Sequence, residues 1–161
     1  MREKAPDFDL INIIPAWIVG RAERAKTSNE VEHGANNLII GFLRGARSPV
    51  INCGFVNSKD CAEAHVRALN PDVKGNQFFI LGRNESMVSL RAITEDKFPD
   101  DFKDDIFRDD GEQPTVAIPI NTKKTEAELG VRLMSTTQLV EDLVRQYVEL
   151  KKQESTQRYV E

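Results

Sequence analysis

Residues 55–69 read FVNSKDCAEAHVRAL. Ser58 carries a hydroxyl that can accept from the unpaired N–H groups of a first helical turn, which makes it an N-cap. The helix behind it is predicted from about Lys59 to Leu69, with Cys61, His65, Ala68 and Leu69 on one face. Asp60 sits at the positive end of the helix dipole. Asn70-Pro71 ends the helix, because proline lacks the needed N–H and disfavours a helical residue before it. An extended piece, Pro49 to Phe55, leads in, and a strand, Gln77 to Leu81 (QFFIL), follows after the turn residue Gly75. Strand, helix and strand in alternation fix the class as α/β.

Towards the N-terminus, Phe8 to Ile14 (FDLINII) is a nearly continuous apolar run that Pro15 closes. Such a run predicts a strand covered on both faces. Ala22 to Gly34 is polar and irregular and reads as a loop. Asn36 to Leu43 has helical composition, with Gly45 placed to stop it. Towards the C-terminus, Ser86 starts a helix that runs toward Phe98 and stops at Pro99. Thr115 to Ile120 is extended, and Thr122 caps a short helix ending at Gly130. Ser135 and Gln138 form a capping box for the last helix. Its apolar stripe is Leu139, Val140, Leu143, Val144, Tyr147 and Val148. From Lys151 the chain is polar, so the organisation is one domain over 1–150 and a polar tail over 151–161.

The chain has 161 residues, 40% of them hydrophobic, and a net charge of −4. One domain with a real core is expected. The acidic balance argues against nucleic acid and against an anionic membrane surface. Two cysteines are no disulfide framework, and no apolar run is long enough to span a bilayer, so a cytoplasmic protein is expected.

Four segments, in order, resemble the C-terminal half of extended short-chain dehydrogenases, in the NAD-dependent epimerase/dehydratase and dihydroflavonol-reductase-like group. FDLINIIPAWIVG (8–20) is similar to that family's strand ending in proline, a turn and a Gly-Pro pair, with Arg21 where proline is usual. FVNSKDCAEAHVRAL matches its V-x-V-x-D-V-A-x-A-H-x-x-A-L helix at Asp60, Ala62, Ala64, His65, Ala68 and Leu69. GNQFFILG (75–82) resembles the strand that follows, and INTKKTEAELG (120–130) a segment near its C-terminus. The resemblance implies the substrate-binding portion of a Rossmann-type enzyme, with a few parallel strands, flanking helices and an incomplete sheet. It implies NAD or NADP as cofactor in the intact family, with backbone contacts from Pro15, Ala16, Ile18 and Val19. Binding of the cofactor by this chain alone is not implied. Trp17, Arg21, Asn37, Phe42 and Arg47 are the candidates for touching a small-molecule carbonyl substrate, in specialised metabolism.

Two parts of the family's chemistry have no counterpart here. None of the nine glycines forms G-x-x-G-x-x-G or G-x-G-x-x-G, the turn that lets backbone approach a pyrophosphate. The family's catalytic Tyr-x-x-x-Lys pair precedes the proline-ended strand. Tyr147 and Lys151 have that spacing but lie far after it, on a packing stripe. No catalytic residue is therefore assigned. The opening MREKAPDFD resembles the end of the helix that carries the pair, so the chain is expected to begin after it. An alternative follows: a non-catalytic remnant, or a partner that self-associates or completes another half.

Other chemistry is weaker. Glu95 to Glu112 holds nine acids against Lys97, Lys103 and Arg108, without calcium-loop spacing. It reads as a solvated turn with Phe102, Ile106 and Phe107 docking inward. His33 and His65 have no zinc-ligand spacing, so no metal is expected. Cys61 and His65 read as packing residues.

Overall fold

The computed structural model describes residues 8–158. The reading of residues 1–7 as a helix end, and of 159–161 as tail, lies outside them.

In chain order, β1 is Ile11–Pro15 and β2 is Trp17–Val19. Helices α1 (Ser28–Val31) and α2 (Asn36–Leu43) follow, then strands β3 (Ile51–Asn52) and β4 (Gly54–Asn57). Helix α3 is Ser58–Ala68, β5 is Gln77–Leu81 and β6 is Arg83–Asn84. Two helices come next, α4 (Met87–Lys97) and α5 (Pro99–Lys103). The chain then forms β7 (Thr115–Val116), α6 (Lys123–Leu129) and α7 (Thr136–Arg158).

The α/β class and its parallel pairing stand. β1 and β5 are parallel, Ile11 opposite Gln77 and Pro15 opposite Leu81. β2 and β4 are parallel, as are β3 and β7. The one antiparallel pair among the described residues, β4 with β6, is not legible in the sequence, since Arg83 and Asn84 show no strand pattern.

Two apolar cores form among the described residues. The larger packs α2, α4 and α7 with Val31 and Phe107, and includes the whole predicted stripe of α7. The smaller packs Cys61 and Ala64 of α3 against Phe79 and Leu81 of β5, closed by Leu129, Val131 and Leu133. Phe107 is buried from the acidic segment, and Phe102 and Ile106 pack against the larger core, as expected.

Several expectations are corrected. β1 starts at Ile11, and Asn12 and Ile14 face solvent while Ile11 and Ile13 are half-buried. One face is covered because α3 packs over it, with Ile11 and Ile13 against the smaller core, while among the described residues Asn12 and Ile14 on the other face stay exposed. Pro15 is accommodated in the strand because it lies on an open edge, where no ladder donor is missed. The segment 22–34 is not all loop: Thr27 and Glu30 form a capping box that nucleates α1. At α3 the cap is Asn57, whose side chain accepts from the Lys59 N–H at 2.9 Å, and Ser58 is already helical. The buried face of α3 is Asp60, Cys61 and Ala64, with His65 and Leu69 outside. Thr115 to Ile120 is strand for two residues only. Helix α7 continues through the expected tail to Arg158. There Lys152 pairs with Asp101 at 2.7 Å, and Glu154 accepts from Ser28 N–H at 2.6 Å.

Candidate functional site

Pro15 and Leu81 are the carboxyl ends of two parallel strands, and ligands of α/β sheets bind beyond such ends. An open cleft of about 390 Å³ lies there, lined by Pro15, Ala16, Trp17, Asn52, Gly54 and Ile118. It forms because the chain crosses from β1 to β2 in a single residue. Ala16 N–H donates to the Leu81 carbonyl at 2.8 Å and ties that crossing to β5. Gly54 and Gly82 let Ala16 approach. A Cβ on Gly82 would stand 2.6 Å from the Ala16 Cβ, and one on Gly54 3.2 Å from it. The Trp17 indole N–H donates to the Asn52 carbonyl at 3.2 Å.

The segment after β2 is held by two buried amides and one half-buried carboxylate. Asn36 accepts from the Gly20 N–H at 2.9 Å and donates to the carbonyls of Gly20 and Val31 at 2.9 and 3.0 Å. Gln146 closes a two-bond pair with Ala22, N–H to side chain and side chain to carbonyl, both 2.8 Å. Asp142 accepts from the Arg21 N–H, the Asn57 amide and the Lys59 ammonium, the last at 2.9 Å. Sequence reasoning missed these three. Isolated Asn, Asp and Gln on helices have no local signature, and the partners of Asp142 and Gln146 lie 83 to 124 positions away.

Burial by itself would raise the Asp142 carboxyl, but the Lys59 and Asn57 hydrogen bonds, with Arg21 N–H, hold it below the ordinary aspartate value. Protons therefore bind this carboxyl more readily in the unfolded chain. Its stabilisation is complete above the ordinary value and fades as pH falls through the lowered one. Asp142→Asn should cost about 1–2 kcal/mol near neutrality. Urea midpoints should converge with those of the parent as acid is added.

Of the expected cofactor contacts, Pro15 and Ala16 line the cleft, Ile18 is exposed beside it in sequence, and Val19 is buried. The Ala16 N–H is already used, so this stretch offers a flat apolar surface more than donors. Among the cleft residues no cation could hold a phosphate. Of the expected substrate contacts, Trp17 alone lines the cleft. Phe42 is 4% exposed in the larger core, its ring 4.3 Å from the Arg91 guanidinium. It falls there because Ile39, Phe42 and Leu43 share the core face of α2. Asn37 is exposed on α2, and Arg47 pairs at 3.8 Å with Glu112. Arg21 is half-buried, its backbone on Asp142.

Tyr147 is fully buried, and its hydroxyl makes no hydrogen bond in the structure. Burial pushes the phenol well above the ordinary tyrosine range, and the Glu32 charge adds to this. It has no exposed oxygen with which to move a proton. Tyr147→Phe should leave stability unchanged or raise it by up to about 1 kcal/mol, read from urea midpoints, since a buried hydroxyl without a partner is a liability. Cys61 is likewise no nucleophile: burial, then the Asp60 charge, pushes its thiol up. His65 donates from Nδ1 to the Cys61 carbonyl at 2.7 Å from an exposed position, rather than packing in the core. Among the described residues, no group of acids, histidines and cysteines is arranged to hold a metal, and no helix is long and apolar enough to cross a membrane.

No family model matches the chain. It is 29% identical over 161 residues to the ketoreductase CTB6 of Cercospora nicotianae, covering 93% of this chain and 44% of that protein. It is 27% identical over 143 residues to the NAD-dependent epimerase/dehydratase ALT6 of Alternaria alternata, covering 78% and 40%. The structure of Gre2 from Candida albicans with NADPH superposes with a TM-score of 0.70 at 23% identity, over 92% of this chain and 46% of that one. A UDP-glucose-4-epimerase from Stenotrophomonas maltophila with NAD gives 0.56 at 16% identity, over 91% and 50%. The chain thus spans less than half the length of the curated relatives it matches, and the expected resemblance and Rossmann-type fold are borne out.

Proposed function

We propose that this chain, a relative of ketoreductases and NAD-dependent epimerases/dehydratases, forms the substrate side of an NAD(P)-dependent oxidoreductase acting on a small carbonyl compound of specialised metabolism. The observation that carries this reading is the cleft at the carboxyl ends of β1 and β5, walled by Pro15, Ala16 and Trp17. Its chemistry is binding and orientation. The apolar wall would shed water when a ligand is bound, and the β1–β2 crossing would offer its apolar side to the nicotinamide ring. Hydride is supplied by the cofactor when bound. The phosphate cradle and the proton donor come from a complementing half, which adds its strand to the open edge of β1. Phe8, Leu10, Ile14 and Phe78 expose apolar surface on this side sheet, which favours such an addition. Self-association through the same edge is the competing assembly. Two free buried thiols, Cys53 and Cys61, suit the cytoplasm.

The test is co-expression with the portion of the Cercospora ketoreductase that this chain does not match. A stable complex that oxidises NADPH in the presence of an aromatic ketone is expected. Absence of any complex, with no NADPH or NADH binding by calorimetry, would overturn the reading.

A further inference from the structure

We propose that Ile118, between β7 and α6, sets the size of the neutral, flat group that the cleft admits, working opposite a Trp17 indole locked in place. This rests on the reading of the cleft as the substrate site. Trp17 and Ile118 are both part of its lining. The indole is 45% exposed, yet its single N–H is engaged by the Asn52 carbonyl. What remains to a ligand is apolar ring surface, suited to stacking. The strand that holds the indole also places its counterpart. Asn52 lies in β3, opposite Val116 of β7, and Ile118 follows two residues later. The Ile118 carbonyl accepts from the Asn84 side-chain amide, and the Cys53 N–H donates to Val116 O at 3.1 Å. The backbone on this side is therefore fixed.

The rest of the wall has little room to vary. Behind Gly54 the space is filled, since a Cβ there would stand 2.6 Å from Ile120 Cδ1. Pro15 and Ala16 are held by the β1–β5 ladder and the Leu81 carbonyl. Ile118, 38% exposed, is the side chain whose volume trades directly against ligand volume. The lining has no ionisable side chain, and Asn52 is its one polar residue. A phosphate or carboxylate placed here would lose water without gaining a counter-charge, so the ligand is uncharged.

Trp17 is the sole tryptophan, so its emission reports on this cleft. The full chain would be titrated with acetophenone, with the larger 2-acetonaphthone and with 2-naphthoate, and NADPH binding and oxidation followed separately on the co-expressed complex. Saturable quenching by both ketones is expected, with naphthoate at least about tenfold weaker. Ile118→Phe should weaken the larger ketone at least about tenfold, and Ile118→Ala should shift preference toward it, the scale of one side-chain-sized change in an apolar pocket. Circular dichroism checks that both variants fold. Linear, unsaturable quenching, naphthoate bound as tightly as the ketone, or an unchanged ratio of the two ketones across the variants would each overturn the assignment. If the complex with the complementing half still oxidises NADPH in that event, the proposed function survives it; if no complex forms and no NADPH is bound or oxidised, both fall.

Discussion

Asn36→Ala is expected to be among the most damaging single changes in this chain, costing about 3 kcal/mol. The amide is buried and makes three hydrogen bonds, to Gly20 N–H, Gly20 C=O and Val31 C=O. Truncation leaves three backbone groups without partners, and they belong to two buried residues, Gly20 and Val31. For a chain of this length the melting temperature should drop by roughly 6–12 °C. Asn36→Asp is the informative companion. It keeps the acceptor for Gly20 N–H but sets a carboxylate against two carbonyls, so it should be at least as destabilising at neutral pH and recover in acid. Thermal melts monitored by circular dichroism decide the matter. A loss below 1 kcal/mol would mean that the loop after β2 is not held by this residue.

Gly82→Val is expected to cost a comparable amount, about 4 kcal/mol, for two separable reasons. Gly82 has φ +151°, where a β-branched residue is strained. Its new Cβ would also meet the Ala16 Cβ at 2.6 Å, with Ile120 Cδ1 and the Phe55 carbonyl each 3.5 Å away. The β1–β2 crossing would be pushed off β5 and the cleft deformed, so Trp17 emission should change along with the melting temperature. Adding Ala16→Gly should relieve the contact and return about 1–2 kcal/mol, leaving the backbone strain. Full recovery in the double variant would show that strain contributes nothing; no recovery would show that Ala16 is not the obstacle.

Both variants bear on how much the chain disclosed before it was folded. Gln77–Leu81 and Asn36–Leu43 are found at the limits expected, because each is bounded by strong local signals, Gly75 before the strand and Gly45 after the helix. The stripe of α7 and its Ser135–Gln138 box also follow from spacing alone. The cleft was half legible. Pro15, Ala16 and Trp17 were singled out through resemblance, whereas Asn52, Gly54 and Ile118 sit in short strands and links without periodicity. Phe42 was placed among substrate contacts by its position in the chain, while its face of the helix put it in the core.

Local order gave away its terms in advance: caps, stops and apolar repeats depend on residues within a turn or two of each other, and those are adjacent in the chain. The coverage of β1 on one face, the antiparallel β6, the persistence of α7 to Arg158 and the placing of Trp17 and Ile118 around one cleft depend on groups brought together from distant positions. An apolar run records that a strand can be buried, and an asparagine that it can bond. Which neighbour does the covering or the bonding is a property of packing, and it was settled only when the helices and strands met.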